Sequence, residues 1–192
     1  MIRVGILGGI GSGKSFVAKL FGYPVFNADQ EVAKLYKKNK NCYNKIKKAV
    51  PDHNFSFPVK KNEIFKAIFD SKTNLKKIIK IIHPAVRTQM NHFIKKNKNR
   101  KIIILDVPLL LENKLNKKND ILIFVDAKKK EKEKKLKKKI GTNKKVFKMF
   151  KKLQLPIELK KKKSDFIIKN NFAKHSLQKD VKKILKEILL NA

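Results

Sequence analysis

Short apolar runs recur along the chain at 2–7, 24–26, 102–105, 121–125 and 166–168, and the segments between them carry helical spacing. That alternation predicts a parallel sheet with helices on both faces, a three-layer α/β architecture. Ile102-Ile103-Ile104-Leu105 and Ile121-Leu122-Ile123-Phe124-Val125 are continuously apolar instead of alternating, as strands covered on both sides should be. These two runs are therefore expected at the centre of the sheet. Near the carboxyl end, Leu177, Val181, Ile184, Leu185, Ile188 and Leu189 repeat at helical spacing behind Ser176, a candidate N-cap. The pattern predicts a helix packed along the sheet.

About seventy residues separate the second and third runs, too many for a simple crossover and too regularly patterned for a loop. An inserted helical lobe over about 30–99 is predicted. Its apolar stripes are Ile64, Phe65, Ile68 and Phe69, then Ile78, Ile79 and Ile82, and Pro84 is expected to open a further helix carrying Val86, Met90 and Phe93. A second excursion, over about 128–163, follows the fourth run and reads as two or three basic helices interrupted at Gly141 and Pro156. Its place suits a helical lid. The core would then be built from about 1–29, 100–127 and 164–192 of a single domain. No apolar run approaches the roughly 20 residues needed to cross a bilayer, so no membrane partner is expected.

The first apolar run passes directly into Gly8-Gly9-Ile10-Gly11-Ser12-Gly13-Lys14-Ser15, which satisfies Gly-x-x-x-x-Gly-Lys-[Ser/Thr]. A strand, a glycine-rich turn and a helix starting near Lys14 direct successive backbone N–H groups and a helix dipole toward one point. A polyphosphate fits there. In that reading ATP lies on Gly11, Ser12, Gly13, Lys14, Ser15 and Phe16, Lys14 reaches the β and γ phosphates, and the Ser15 hydroxyl joins the shell of Mg²⁺.

Two carboxylates stand at strand ends, where ligands gather in parallel α/β folds. Asp29 follows Val25-Phe26-Asn27-Ala28 and can orient an acceptor hydroxyl; the other reading is an N-cap for the helix from Gln30 onward. Asp106 follows four apolar residues, like a strand-end aspartate that holds magnesium through water. His83-Pro84 is ambiguous by itself, since a lone histidine before a proline is more often a hydrogen-bonded helix-start residue than a catalyst. Four scattered histidines and one cysteine give no zinc spacing, and Cys42 reads as a buried or bystander thiol of a reducing cytoplasm. The first apolar run is committed to the phosphate loop, so no export signal is expected.

The net charge of +35 invites a nucleic-acid partner, yet of 50 basic residues only Arg3, Arg87 and Arg100 are arginine. The excess of Lys, Asn, Ile and Phe follows A/T-rich codons, and aromatic residues do not interleave with the basic runs as a stacking platform requires. No specific nucleic-acid partner is expected. The run 128–139 is low in complexity but contains Leu136 and leads to Ile140, which suggests an exposed helix.

Along nearly its whole length the chain resembles dephospho-coenzyme A kinases. The resemblance is carried by the loop at 8–15, Ala28-Asp29, Lys61 to Phe69, His83-Pro84, Val107-Pro108-Leu109-Leu110 with Glu112, Val125-Asp126, Gln154 with Pro156 and Glu158, and Ser164-Asp165 to Asn170. It implies a phosphate-loop kinase core with a helical substrate lobe and lid, ATP and dephospho-CoA as substrates, and transfer to the ribose 3′-hydroxyl at the end of coenzyme A synthesis. It further implies catalytic roles for Lys14, Asp29 and the lid lysines Lys135 and Lys139. Asn170 would lie on the ATP side, and His83, Arg87, Pro108 and Leu109 on the acceptor side. Departures are Asn27 where the family carries aspartate, lysine for arginine at 135 and 139, Ile140 for an aspartate, and Phe172 for a glycine. Lysine keeps the charge at 135 and 139 but loses the planar fork of arginine. Competing expectations are a nucleoside monophosphate or other small-molecule kinase, and a basic nucleic-acid-associated ATPase.

Overall fold

The computed structural model of the chain describes residues 1–128, 130–132 and 144–191. Strands β1 (Ile2–Leu7), β2 (Val25–Asn27), β3 (Ile102–Asp106), β4 (Ile121–Ala127) and β5 (Phe166–Asn170) form one parallel sheet in the order β2-β3-β1-β4-β5. β1 is the pivot: Val4 pairs with Ile104 on one side and Ile121 on the other. All five residues of β3 are buried, as is most of β4, which accounts for their unbroken apolar character.

The described residues of Met1–Asn27, Asn97–Asn143 and Phe147–Ala192 form one compact unit around this sheet. Helix α1 (Lys14–Leu20) and a carboxyl-terminal helix, Lys174–Leu190, cover one sheet face. Val17, Ala18, Leu177, Val181, Ile184 and Ile188 pack there with Val4, Ile6, Ile104, Ile123 and Ile168 in a continuous core. That last helix starts three residues earlier than the spacing suggested. Ala173 stands at its N-cap without a side-chain bond, so Ser176 lies inside the first turn. Asn171 Oδ1 instead accepts the Ala173 N–H at 3.0 Å and shapes the entry.

The other unit, Ala28–Lys96 with 144–146, is helical. Its elements are α2 (Ala28–Lys38), α3 (Lys40–Ala49), α4 (Lys61–Asp70) and α5 (Lys72–Lys96). Asn39 caps α3 by accepting the Cys42 N–H at 2.8 Å. Burial pushes the Cys42 thiol up, away from the reactive thiolate, in keeping with a bystander. In α4 Ile64 and Ile68 are buried with Ala67, whereas Phe69 is exposed. Pro84 does not open a helix: α5 runs through it without interruption. Leu75, Ile78, Ile82, Val86 and Met90 form one buried stripe on both sides of the proline, and that packing offsets the lost backbone hydrogen bond.

At the amino-terminal edge of the sheet, Arg3 is buried beside Asp120. Its Nε lies 3.0 Å from Oδ1, and a terminal nitrogen donates to Oδ2 at 3.0 Å and to the Leu115 carbonyl at 3.2 Å. Burial pushes the Asp120 carboxyl above its usual range even though the Lys117 N–H and the Arg3 guanidinium oppose the shift. Such a pair adds little over an apolar one, but breaking it strands a buried charge. Asp120→Ala should therefore lose about 3–5 kcal/mol in urea denaturation, while Arg3→Met with Asp120→Leu recovers most of that loss.

Candidate active site

β1 ends at Leu7, and the chain turns at once through Gly8 at φ 147° and Gly11 at φ 78° to Gly13 at φ 88°, the left-handed N-cap of α1. Two of these glycines are required by crowding as well as by φ. A side-chain carbon on Gly8 would sit 2.7 Å from the Val125 carbonyl, and one on Gly13 would collide with the Asn170 carboxamide. The loop therefore lies directly on the ends of β4 and β5. Phe16 and Val17 N–H groups bond the Gly13 carbonyl at 3.0 and 3.1 Å and start the helix.

Lys14 is nearly buried, and its ammonium donates to the carbonyls of Gly8 at 3.1 Å and Gly9 at 2.9 Å. Its charge is thus held at the mouth of the loop by two dipoles. Ser12 is buried behind the loop, and its carbonyl accepts from Asn170 Nδ2 at 2.8 Å. Asn170, itself buried at the end of β5, is oriented in turn by the Phe172 N–H on its Oδ1 at 2.7 Å. Phe172 itself stands at φ 64°, a left-handed backbone that costs a non-glycine residue roughly 1–2 kcal/mol. Phenylalanine here takes the conformation that a glycine adopts more easily.

A second line of hydrogen bonds crosses the strand ends. Asn27, the last residue of β2, donates Nδ2 to Ser15 Oγ at 3.3 Å and also to Asp106 Oδ2. Asp106 closes β3 and is buried, while Ser15 is exposed. The amide thereby joins two hard oxygen donors beside the loop. Among the described residues no group of three or more His, Cys, Asp or Glu clusters as a metal site. A hydroxyl and a carboxylate suit Mg²⁺, which keeps several waters and takes its remaining oxygens from phosphate.

The other expected site residues are placed as follows. Pro108 and Leu109 are half-buried in the turns after β3, and Phe16 is exposed on α1. In the helical unit Asp29 is the second residue of α2, so it lies in the first turn and is not its N-cap. A carboxylate there is favoured by the helix dipole. His83 is half-buried and Arg87 exposed, one turn apart on α5 and so on one face of it. Lys135 and Lys139 lie outside the described residues. The structure gives loop-ordering roles to Asn27 and Phe172, which the sequence marks only as departures from the family pattern: Asn27 acts through a side-chain amide bonded to residues distant in sequence, and Phe172 through its N–H on Asn170.

The sequence profile of the family described as dephospho-CoA kinase matches residues 2–175. A dephospho-CoA kinase from Wolbachia sp. subsp. Brugia malayi (strain TRS) is 34% identical over 194 residues, covering 98% of this chain and 99% of the relative. Among solved structures, TT1252 from Thermus thermophilus superposes with a TM-score of 0.74 at 25% identity, covering 97% of both chains. A dephospho-CoA kinase from Campylobacter jejuni superposes at 0.66 with 22% identity over 97% of this chain and 96% of its own, a likeness of fold.

Gly13 gives the most direct test of the loop. Gly13→Ala puts a methyl group into the Asn170 carboxamide at a left-handed φ. It should lower ATP affinity at least tenfold in a fluorescence titration while far-UV circular dichroism keeps its native shape.

Proposed function

The chain belongs to the dephospho-CoA kinase family, and from that premise we propose how its own residues carry the reaction. It uses ATP to phosphorylate dephospho-CoA in coenzyme A biosynthesis. In our reading the acceptor is the ribose 3′-hydroxyl and the enzyme works in the cytoplasm; no helix among the described residues is long and apolar enough to cross a membrane. The observation that carries the reading is the Lys14 ammonium clamped by the Gly8 and Gly9 carbonyls of a loop that turns through left-handed glycines into α1.

ATP lies along Gly11 to Phe16, with Asn170 acting from beneath through the Ser12 carbonyl. Lys14 exchanges its carbonyl partners for β and γ phosphate oxygens, a transfer from dipoles to full charges that favours the bound state. Ser15 and Asp106 would hold Mg²⁺, which when bound neutralises charge between the β and γ phosphates. Asn27 keeps both oxygens in place without adding a third negative group. Asp29 accepts the acceptor hydroxyl's hydrogen bond, aligns the oxygen with the γ phosphorus, and takes the proton as the new O–P bond forms and the bond from the γ phosphorus to the β–γ bridging oxygen breaks, releasing ADP. His83, Arg87 and the Pro108-Leu109 turn engage the acceptor. Lys135 and Lys139, four apart, supply charge to the transferred group. The nucleoside monophosphate alternative is disfavoured by a 128–163 segment that contains no arginine for a second phosphate clamp.

Two substitutions separate these roles. Lys14→Ala should retain the fold and lose phosphoryl transfer almost wholly. Asp29→Asn should lower kcat by about 10²- to 10⁴-fold while the ATP dissociation constant stays within threefold. Loss of ATP affinity with kcat preserved at saturation would make Asp29 a nucleotide or metal ligand instead.

A further inference from the structure

After β3 the chain forms a series of turns that ends near Glu112, and the short helix α7 (Ile157–Lys162), which follows α6 (Lys144–Lys152), lies against it. Both charges of the contact are buried. Lys160 Nζ is 2.6 Å from Glu112 Oε1, with side chains only 2% and 10% exposed. The same oxygen accepts the Leu155 N–H at 2.9 Å, just ahead of the helix. Glu112 Oε2 is buried and has no hydrogen-bond partner among the described residues. The next lysine, Lys161, reaches Asp126 Oδ2 on β4 at 3.0 Å. One carboxylate oxygen therefore grips α7 at its entry and near its end, and Asp126 holds it from the sheet.

The first residue of α7 explains why this fixation matters. Ile157 Cδ1 lies 3.8 Å from where a side-chain carbon on Gly9 would stand, so α7 walls the outer side of the phosphate loop. The Gly9 carbonyl accepts from the Lys14 ammonium at 2.9 Å. Apolar residues would hold a short helix against the turns equally well, and a buried ion pair adds little net stability. A carboxylate bonded to two points of one helix adds a single rotation and a single depth. We propose that Glu112, through Lys160 and Ile157, is a positioning residue for Lys14: it fixes α7 against Gly9, and so fixes the carbonyls that aim the ammonium. The inference rests on the proposed kinase reaction for its catalytic consequence, and on the loop geometry alone for its effect on ATP binding.

The test uses the whole chain in three forms beside wild type: Glu112→Leu with Lys160→Met, Lys160→Arg, and Ile157→Ala. Urea midpoints, ATP dissociation constants, and kcat and KM for dephospho-CoA are measured for each. The double variant should unfold near the wild-type midpoint yet bind ATP at least fivefold more weakly. Its kcat should fall at least tenfold, with KM for dephospho-CoA within twofold. Lys160→Arg, which keeps the pair, should stay within threefold of wild type in ATP affinity and kcat. Ile157→Ala disturbs no buried charge and should weaken ATP binding at least threefold, which decides the matter if the double variant does not fold. A stable double variant with ATP affinity and kcat within twofold of wild type, or Ile157→Ala with unchanged ATP affinity, would overturn the proposal. A wild-type protein inactive on dephospho-CoA would instead sink the kinase reading, and the ATP affinities would still judge the positioning role.

Discussion

A single hydrogen bond, from Asn170 Nδ2 to the Ser12 carbonyl, sets the place of the phosphate loop on the sheet. The next residue, Gly13, packs against the same carboxamide, where a side-chain carbon would collide. The Asn170 amide must point one way for this to work, and the Phe172 N–H on its Oδ1 enforces that orientation, while Phe172 itself stands at a left-handed φ of 64°. A strained backbone position thus lies two residues beyond the amide that orders the loop, the usual setting in which such strain persists. The loop's acceptors then hold Lys14, and its geometry follows from the strand ends beneath it.

The Ser15, Asn27 and Asp106 line obeys a related constraint. Two carboxylates side by side at the ends of β2 and β3 would repel each other, or demand a cation or a shared proton. An amide between Asp106 and Ser15 removes that demand, since one NH₂ group donates to both. The cost is one fewer anionic oxygen for a metal, which leaves phosphate and water to supply more of its shell. The net charge of +35 also raises the positive potential around the loop, which draws in polyphosphates without selecting among them.

Much of the framework was legible because it depends on local pattern. The unbroken runs at 102–105 and 121–125 are central strands, and Gly8 to Ser15 is a strand-to-helix phosphate loop, since spacing and flanks constrain both. What escaped depends on contacts between distant residues. Pro84 reads locally as a helix start, yet the buried stripe from Leu75 to Met90 carries α5 through it. Ser176 matches an N-cap pattern, but the helix is entered through Asn171. Lys160 stands in a run of four lysines that reads as a solvated face, and only the fold brings it to Glu112, 48 positions earlier, where it is 1% exposed. Periodicity cannot tell which lysine of such a run meets a carboxylate.

The central claim is that this loop and its strand-end groups serve transfer to one acceptor. It is tested most directly by incubating the protein with ATP and Mg²⁺ in parallel with dephospho-CoA, AMP, CMP and GMP, and locating the new phosphate by ³¹P NMR and mass spectrometry. Phosphate on the ribose 3′ position of dephospho-CoA, with no comparable transfer to the monophosphates, is the predicted result; equal or faster transfer to AMP, CMP or GMP would contradict it.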